Sequence, residues 1–202
     1  MEDLINVSDL NALIEQLKNT KQIHPQDVPN IDLYMDQLIT FLDANTENLK
    51  SDEKLPFITN TMVNNYAKAG LLPPVIKKRY TRDHVLTLCV VGQLKRILSI
   101  QSLKKIIDTV SVEKFSTDLY NVFLDEQKKN IDNTDEIIIN ALETSEKEGF
   151  DGDSLIAAAA IALSTEAQYK VMLAEKLLSL IDTSKKPDEK QSKKTKEEII
   201  KE

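Results

Sequence analysis

Apolar side chains recur at helical spacing along most of this chain, and residues that form turns are scarce. Near the start, Leu10, Leu13, Ile14 and Leu17 fall on one helical face. The 202 residues include only four glycines and six prolines, and the sequence lacks clear alternating runs of Val, Ile and Thr. This pattern predicts an all-α fold.

Breaks in the helical pattern divide the chain into three predicted parts. Residues 1–110 form a helical head with its core at 30–110, and Asn30 is expected to cap the second helix. Residues 111–182 carry helices separated by a break at 148–152, which predicts a C-terminal helical hairpin. Residues 183–202 are charged and poor in apolar side chains, so we predict a disordered tail.

Three features predict a cytoplasmic protein with no membrane partner. The acidic N-terminus lacks the basic and apolar regions of a signal peptide. The longest apolar run, Leu155 to Leu163, is much shorter than the roughly 20 residues that a membrane helix needs. The single cysteine, Cys89, excludes an internal disulfide and is expected to be a small buried hydrophobe.

The sequence predicts neither an enzyme nor a cofactor. It contains no glycine-rich phosphate loop and no nucleophile elbow, so no catalytic residues are assigned. His24 and His84 are the only histidines, and they lie far apart without cysteine partners. No metal site is therefore expected.

Charge is distributed unevenly along the chain. The whole chain has a net charge of -7, but residues 57–110 carry nine lysines and arginines against two acids, Asp83 and Asp108. This basic block lies between two acidic flanks. It is either a surface for nucleic acid or a face that docks onto the protein's own acidic helices.

Small polar side chains in the basic block have the chemistry of a DNA-reading helix. Asn60, Asn64 and Lys68 lie at i, i+4 and i+8, and Thr61 and Asn65 form a neighbouring stripe. An asparagine amide offers a donor and an acceptor together and binds adenine in the major groove through both. These five residues are predicted DNA contacts.

A second group of predicted DNA contacts follows two prolines. Lys77, Lys78, Arg79 and Arg82 are clustered cations suited to phosphates or the minor groove. Tyr80, between them, either packs in the core or donates to a phosphate. Double-stranded DNA is therefore the predicted partner.

Residues 57–86, FITNTMVNNYAKAGLLPPVIKKRYTRDHVL, resemble the MerR family of winged helix-turn-helix regulators. Val63 matches a buried aliphatic position, and Tyr66 matches an aromatic near the end of the recognition helix. Residues 70–73, Gly-Leu-Leu-Pro, match the exit from that helix, and residues 80–81 match the start of the next. The resemblance implies a MerR-like winged helix-turn-helix head in front of the C-terminal hairpin.

Three separated motifs resemble a more specific group, the uncharacterised bacterial domain-of-unknown-function family 1836. They are LYMDQLITFL at 33–42, TMVNNYAKAGLLPP at 61–74 and KKRYTRDH at 77–84. The resemblance covers roughly residues 30–110. It implies a MerR-like fold and brings no established activity.

Two functions follow from these observations. The first is a DNA-binding transcriptional regulator that forms a homodimer through its C-terminal helices. The second is a non-enzymatic protein-interaction module whose helix-turn-helix fold does not bind DNA. Asn64 and Asn65 favour the second, because the MerR family has Arg and Tyr there, and so does a predicted wing without a glycine turn.

An effector pocket between the C-terminal helices is a further possibility for a regulator of this kind. Tyr120, Phe123, Tyr169 and Met172 are the side chains that would line it. Packing in the core is the alternative use of the same four residues.

Overall fold

The architecture is that of a computed structural model, which describes residues 7–19, 22–46, 56–109 and 120–181. The described ranges are helical, with isolated β-bridges in place of longer strands, so the predicted all-α class is confirmed. A short 3-10 helix lies at Pro25–Asp27. The α-helices are α1 (Val7–Lys18), α2 (Met35–Asn45), α3 (Asn60–Lys68), α4 (Arg82–Leu94), α5 (Ile100–Thr109), α6 (Tyr120–Asp132), α7 (Thr134–Lys147) and α8 (Gly152–Ser179).

Helix α4 is the centre of the core. Every residue from His84 to Gly92 is buried, and α4 packs against both α2 and α6. A helix that is apolar on all sides is stable in water only when other elements surround it. Cys89 lies within this run, and burial raises the pKa of its thiol to about 12, so it is a small buried hydrophobe as predicted.

Helix α2 begins later than the sequence pattern predicts. Asn30 does not cap it, because the helix starts at Met35 with Tyr34 as the cap residue. Leu33 is extended and exchanges two backbone hydrogen bonds with Tyr80, each 2.8 Å long. Since this pairing uses both backbone groups of Leu33, the residue cannot belong to a helix.

The C-terminal helices form the predicted hairpin. Helices α7 and α8 pack along each other, and the turn between them includes Gly149 at a φ of 91°. Asn133 separates α6 from α7. Helix α1 packs against α6 and α7, and an ion pair joins Lys18 to Asp135.

The far end of α8 is attached to the start of α5. The Ser99 hydroxyl caps α5 by accepting from the Ser102 backbone N–H at 3.0 Å. The Ser102 hydroxyl donates to Glu175 of α8 at 2.6 Å, and Lys105 Nζ donates to the Leu178 carbonyl at 3.4 Å. The hairpin therefore contacts the head through α5 as well as through α1.

The four side chains considered for an effector pocket do not share one. Tyr120 and Phe123 pack into the core, and the Tyr120 hydroxyl donates to the Ile23 carbonyl at 2.6 Å. Tyr169 and Met172 are exposed on α8. The pocket interpretation is wrong for this set, because its members lie in different environments.

Two further predictions concern the ends of the domains and the membrane. The boundary at residue 110 and the tail at 183–202 lie outside the described residues. Among the helices that the structure describes, none combines the length and apolarity needed to cross a bilayer.

Candidate nucleic-acid interface

Helix α3 presents the polar face that its sequence predicts. The Thr59 hydroxyl caps the helix by accepting from the Met62 backbone N–H at 3.2 Å. Val63 and Tyr66 are buried, and they hold the opposite side of the helix against the core. The exposed side chains are Asn60, Thr61, Asn64, Asn65 and Lys68, which are the five predicted contacts on this helix.

The chain leaves α3 through a tight turn. Gly70 has a φ of 71°, a conformation that residues with a Cβ rarely adopt. The Leu71 N–H donates to the Tyr66 carbonyl at 2.9 Å, which satisfies one of the last carbonyls of the helix. Lys104 of α5 adds a contact to the Gly70 carbonyl at 3.4 Å.

Residues 76–79 form a two-residue hairpin turn, here named the basic turn. Ile76 and Arg79 pair in antiparallel fashion, and the Arg79 N–H donates to the Ile76 carbonyl at 3.0 Å. Lys77 and Lys78, with φ of 51° and 58°, occupy the two central positions of a type I′ turn. Both lysines are exposed, so a turn without glycine presents two adjacent cations to solvent.

The left-handed conformation of these two lysines is strained. It costs a residue with a Cβ roughly 1–2 kcal/mol, and Asn-Gly is the usual sequence for such a turn. The chain therefore has lysine at two positions where asparagine and glycine are favoured for stability. Strained residues of this kind concentrate at functional sites.

The Arg79 side chain of the basic turn packs against Tyr34. Its guanidinium carbon lies 5.1 Å from the centre of the Tyr34 ring, within the range of a cation–π contact. Its Nη2 donates to the Tyr34 hydroxyl at 3.2 Å. The sequence alone does not connect Tyr34 with Arg79, because no spacing pattern relates residues 45 positions apart.

Tyr80 differs from the other predicted contacts because it is buried. Its backbone pairs with Leu33, and its ring meets the His84 ring edge-on with centroids 5.6 Å apart. Burial also raises the pKa of its phenol. Tyr80 therefore packs in the core, whereas Arg82, in the first turn of α4, is exposed.

His84 forms hydrogen bonds that join the start of α4 to the segment after α3. Its Nδ1 accepts from the Thr81 N–H at 3.0 Å and from the Thr81 hydroxyl at 2.8 Å. Its Nε2 lies 3.1 Å from the Pro73 carbonyl, so this nitrogen carries the proton of a neutral ring and donates it. Burial lowers the pKa of His84, although the Pro73 bond and the charges of Asp83 and Asp32 oppose that shift.

The lowered pKa of His84 predicts a stability that depends on pH. Above about pH 6.5 the His84 ring is neutral in the folded and the unfolded chain, and its hydrogen bonds to Thr81 and Pro73 are intact. As the pH falls below that value the unfolded chain binds the proton first, so the free energy of unfolding decreases. We expect denaturant unfolding to give a lower free energy of unfolding at about pH 5.5 than at about pH 7.5. In the His84→Gln variant this difference between the two pH values is expected to be smaller.

The Gln variant suits this test because Thr81 and a glutamine at position 84 form a capping box. It keeps the bond to the Thr81 N–H and loses the bond to Pro73, at a cost of about 1–3 kcal/mol at neutral pH. His24→Gln, at an exposed histidine, is the matched control. A His84→Gln protein with an unchanged pH dependence would exclude His84 as the titrating group.

Lys95 and Lys104 contact α3 and the turn that follows it. Lys95 Nζ lies 5.8 Å from the centre of the Tyr66 ring and 3.6 Å from the Met62 sulfur. Burial, together with the charge of Arg96, lowers the pKa of Lys95. Lys95 and Lys104 therefore contribute to packing around α3 in addition to charge.

No metal-binding group was found in the part of the chain that the structure describes. Clusters of three or more His, Cys, Asp or Glu side chains with suitable spacing are lacking there. The exposed side chains of α3 and the basic turn supply hydrogen-bonding groups and positive charge.

Comparison with known proteins identifies one family. Residues 23–134, more than half of the chain, match the model of a family described as Domain of unknown function (DUF1836). No curated protein and no solved structure matches the chain. The matched segment extends past α5 and includes all of α6, and the Tyr120 hydroxyl at the start of α6 donates to the carbonyl of Ile23, the first matched residue.

Proposed function

The chain belongs to the Domain of unknown function (DUF1836) family, and from the geometry of its basic face we propose that it is a DNA-binding transcriptional regulator with a MerR-like winged helix-turn-helix. One observation carries the proposal. Residues 57–82 contain five lysines and arginines and no acid, and all five cations lie exposed on α3, on the basic turn or at the start of α4. A cluster of exposed cations is the electrostatic footprint expected of a nucleic-acid surface, and Asp83 is the first acid to follow it in the chain.

The order of the elements supports a winged helix-turn-helix. Helices α2 and α3 pack together, and the basic turn follows α3 as a wing would. The pairing of Leu33 with Tyr80 brings the segment before α2 beside this wing. In this arrangement α3 is the recognition helix and the basic turn contacts the backbone of the same duplex.

The dimensions and chemistry of α3 fit the major groove. Its nine residues span about 14 Å, and the side chains on its exposed face are short and polar. Asn64 and Asn65 can each bind an adenine edge through two hydrogen bonds. Lys68 and the cations of the basic turn bind phosphates, which fix the register of the helix on the DNA.

Helix α8 supports a homodimer. Of its 28 residues only Ala159 is buried, although the helix is rich in Leu, Ile and Ala. Tyr169, Leu173 and Leu177 of α8 and its cap residue Leu180 are exposed and spaced by three or four residues, which places them in one apolar stripe. A second copy that covers this stripe gives two recognition helices and a divided operator with two half-sites.

A titration against labelled duplex DNA tests the proposal. At about 50 mM salt we expect binding, and at about 200 mM salt a large loss, with a log-log slope of about -4 to -5 for each head. Selection from a random duplex pool is expected to enrich two half-sites spaced by about one helical turn. A protein that binds no duplex at the lower salt concentration would instead be a protein-interaction module.

A further inference from the structure

Tyr34 is a half-exposed aromatic residue at the edge of the candidate interface. It is the cap residue of α2, and 52% of its surface is accessible. Its backbone N–H donates to Gln37 Oε1 at 2.9 Å, which fixes the first turn of the helix. The capping depends on the backbone of Tyr34 and leaves its ring free for another use.

The register of one backbone pair determines where that ring lies. Leu33 pairs with Tyr80 in antiparallel fashion, so Tyr34 lies beside Arg79. Side chains alternate between the two faces of extended segments. Leu33 and Tyr80 are both buried, and their neighbours Tyr34 and Arg79 are both exposed on the opposite face.

The contact leaves most of the arginine available. A guanidinium has five N–H donors, and the Tyr34 hydroxyl takes one of them at 3.2 Å. The Tyr34 ring supports the group at 5.1 Å. A guanidinium held in this way loses less conformational freedom when its other donors bind a phosphate in a bidentate manner.

We propose that Tyr34 is a positioning residue that holds the Arg79 guanidinium against its ring so that the remaining donors bind one phosphate of the DNA backbone. This inference rests on the proposed function. It assigns a role in DNA binding to the side chain of the residue directly before α2, the first helix of the proposed helix-turn-helix.

A double-mutant cycle on DNA affinity tests the inference. We expect Tyr34→Leu to weaken duplex binding at about 50 mM salt by about three- to tenfold, and Tyr34→Phe, which keeps the ring, to weaken it less. In an Arg79→Gln background Tyr34→Leu is expected to have no further effect, because it acts through Arg79. Phe150→Leu, at an exposed aromatic residue between α7 and α8, is the control and is expected to bind like the wild type.

The outcomes separate this inference from the proposed function. If the wild type binds no duplex, the proposed function fails and the inference fails with it. If the wild type binds and Tyr34→Leu binds equally well, the inference alone is overturned. An equal loss from Tyr34→Leu with and without Arg79 would also overturn it, since Tyr34 would then act independently of the arginine.

Discussion

Replacing Lys77 with asparagine and Lys78 with glycine is expected to stabilise the protein and to weaken its binding to DNA. Both lysines are in the left-handed conformation of a type I′ turn, for which Asn-Gly is the favoured sequence. The change relieves strain and separates no buried contact, because both side chains are exposed. We expect a gain of about 1 kcal/mol and a rise in Tm of roughly 2–4 °C.

The same substitution removes two cations from the proposed phosphate contacts. The log-log salt slope of each head is expected to become less steep by about 2, because each lost contact contributes about 0.9. At about 50 mM salt the affinity for duplex DNA is expected to fall by about 10- to 100-fold. Thermal unfolding and fluorescence anisotropy measure the two effects on the same sample.

The opposite signs of the two effects make this variant informative. A variant that binds DNA poorly because it is misfolded would also lose stability, and this one is expected to gain it. The control is Lys128→Gln with Lys129→Gln, which makes the same change in charge on exposed positions of α6. If the control and the Asn-Gly variant lose affinity equally, net charge rather than the basic turn governs binding.

Much of the candidate site was predictable because it is encoded locally. The i, i+4, i+8 spacing of Asn60, Asn64 and Lys68 predicts one exposed face, and the structure has these residues exposed on α3. The cap at Thr59 and the glycine at position 70 mark the two ends of this helix. Helical spacing and capping residues relate positions within one or two helical turns of each other, so a single sequence is enough to recognise them.

The remainder of the site depends on contacts between distant residues. The pairing of Leu33 with Tyr80 delays the start of α2, buries Tyr80 and brings Tyr34 to Arg79. The register of this one backbone pair determines all three features, and no local sequence pattern predicts that register. The role of His84 was missed for the same reason, since its partner Pro73 lies on a separate turn.

The type I′ turn shows a different limit of sequence reasoning. The predicted wing, residues 75–79, lacks the glycine that a tight turn usually has, yet Lys77 and Lys78 form a tight turn. Turn propensities describe an average free-energy cost, and this turn forms beside two backbone pairings, Ile76 with Arg79 and Leu33 with Tyr80. A tight turn can therefore form without the residues that usually occupy its two central positions.

The exposed apolar stripe of α8 is the surface through which we expect two copies of the chain to associate. We expect Leu173→Glu with Leu177→Glu to convert a dimer into a monomer, because two carboxylates would face the partner's stripe. Both side chains are exposed in one copy, at 42% and 66%, so the fold of the monomer is expected to survive. Sedimentation velocity measures the mass, and the thermal unfolding curve checks the fold.

Loss of the dimer is expected to weaken operator binding by about a hundredfold or more, because a dimer engages its second half-site at a high effective concentration. The salt slope of the monomer is expected to be about half that of the dimer. Val122→Glu with Ile139→Glu adds the same charge at exposed apolar positions of α6 and α7 and is expected to leave both properties unchanged. A wild type that sediments as a monomer while binding DNA with the slope of one head would contradict the dimer, and the stripe on α8 would then be the surface for a different protein.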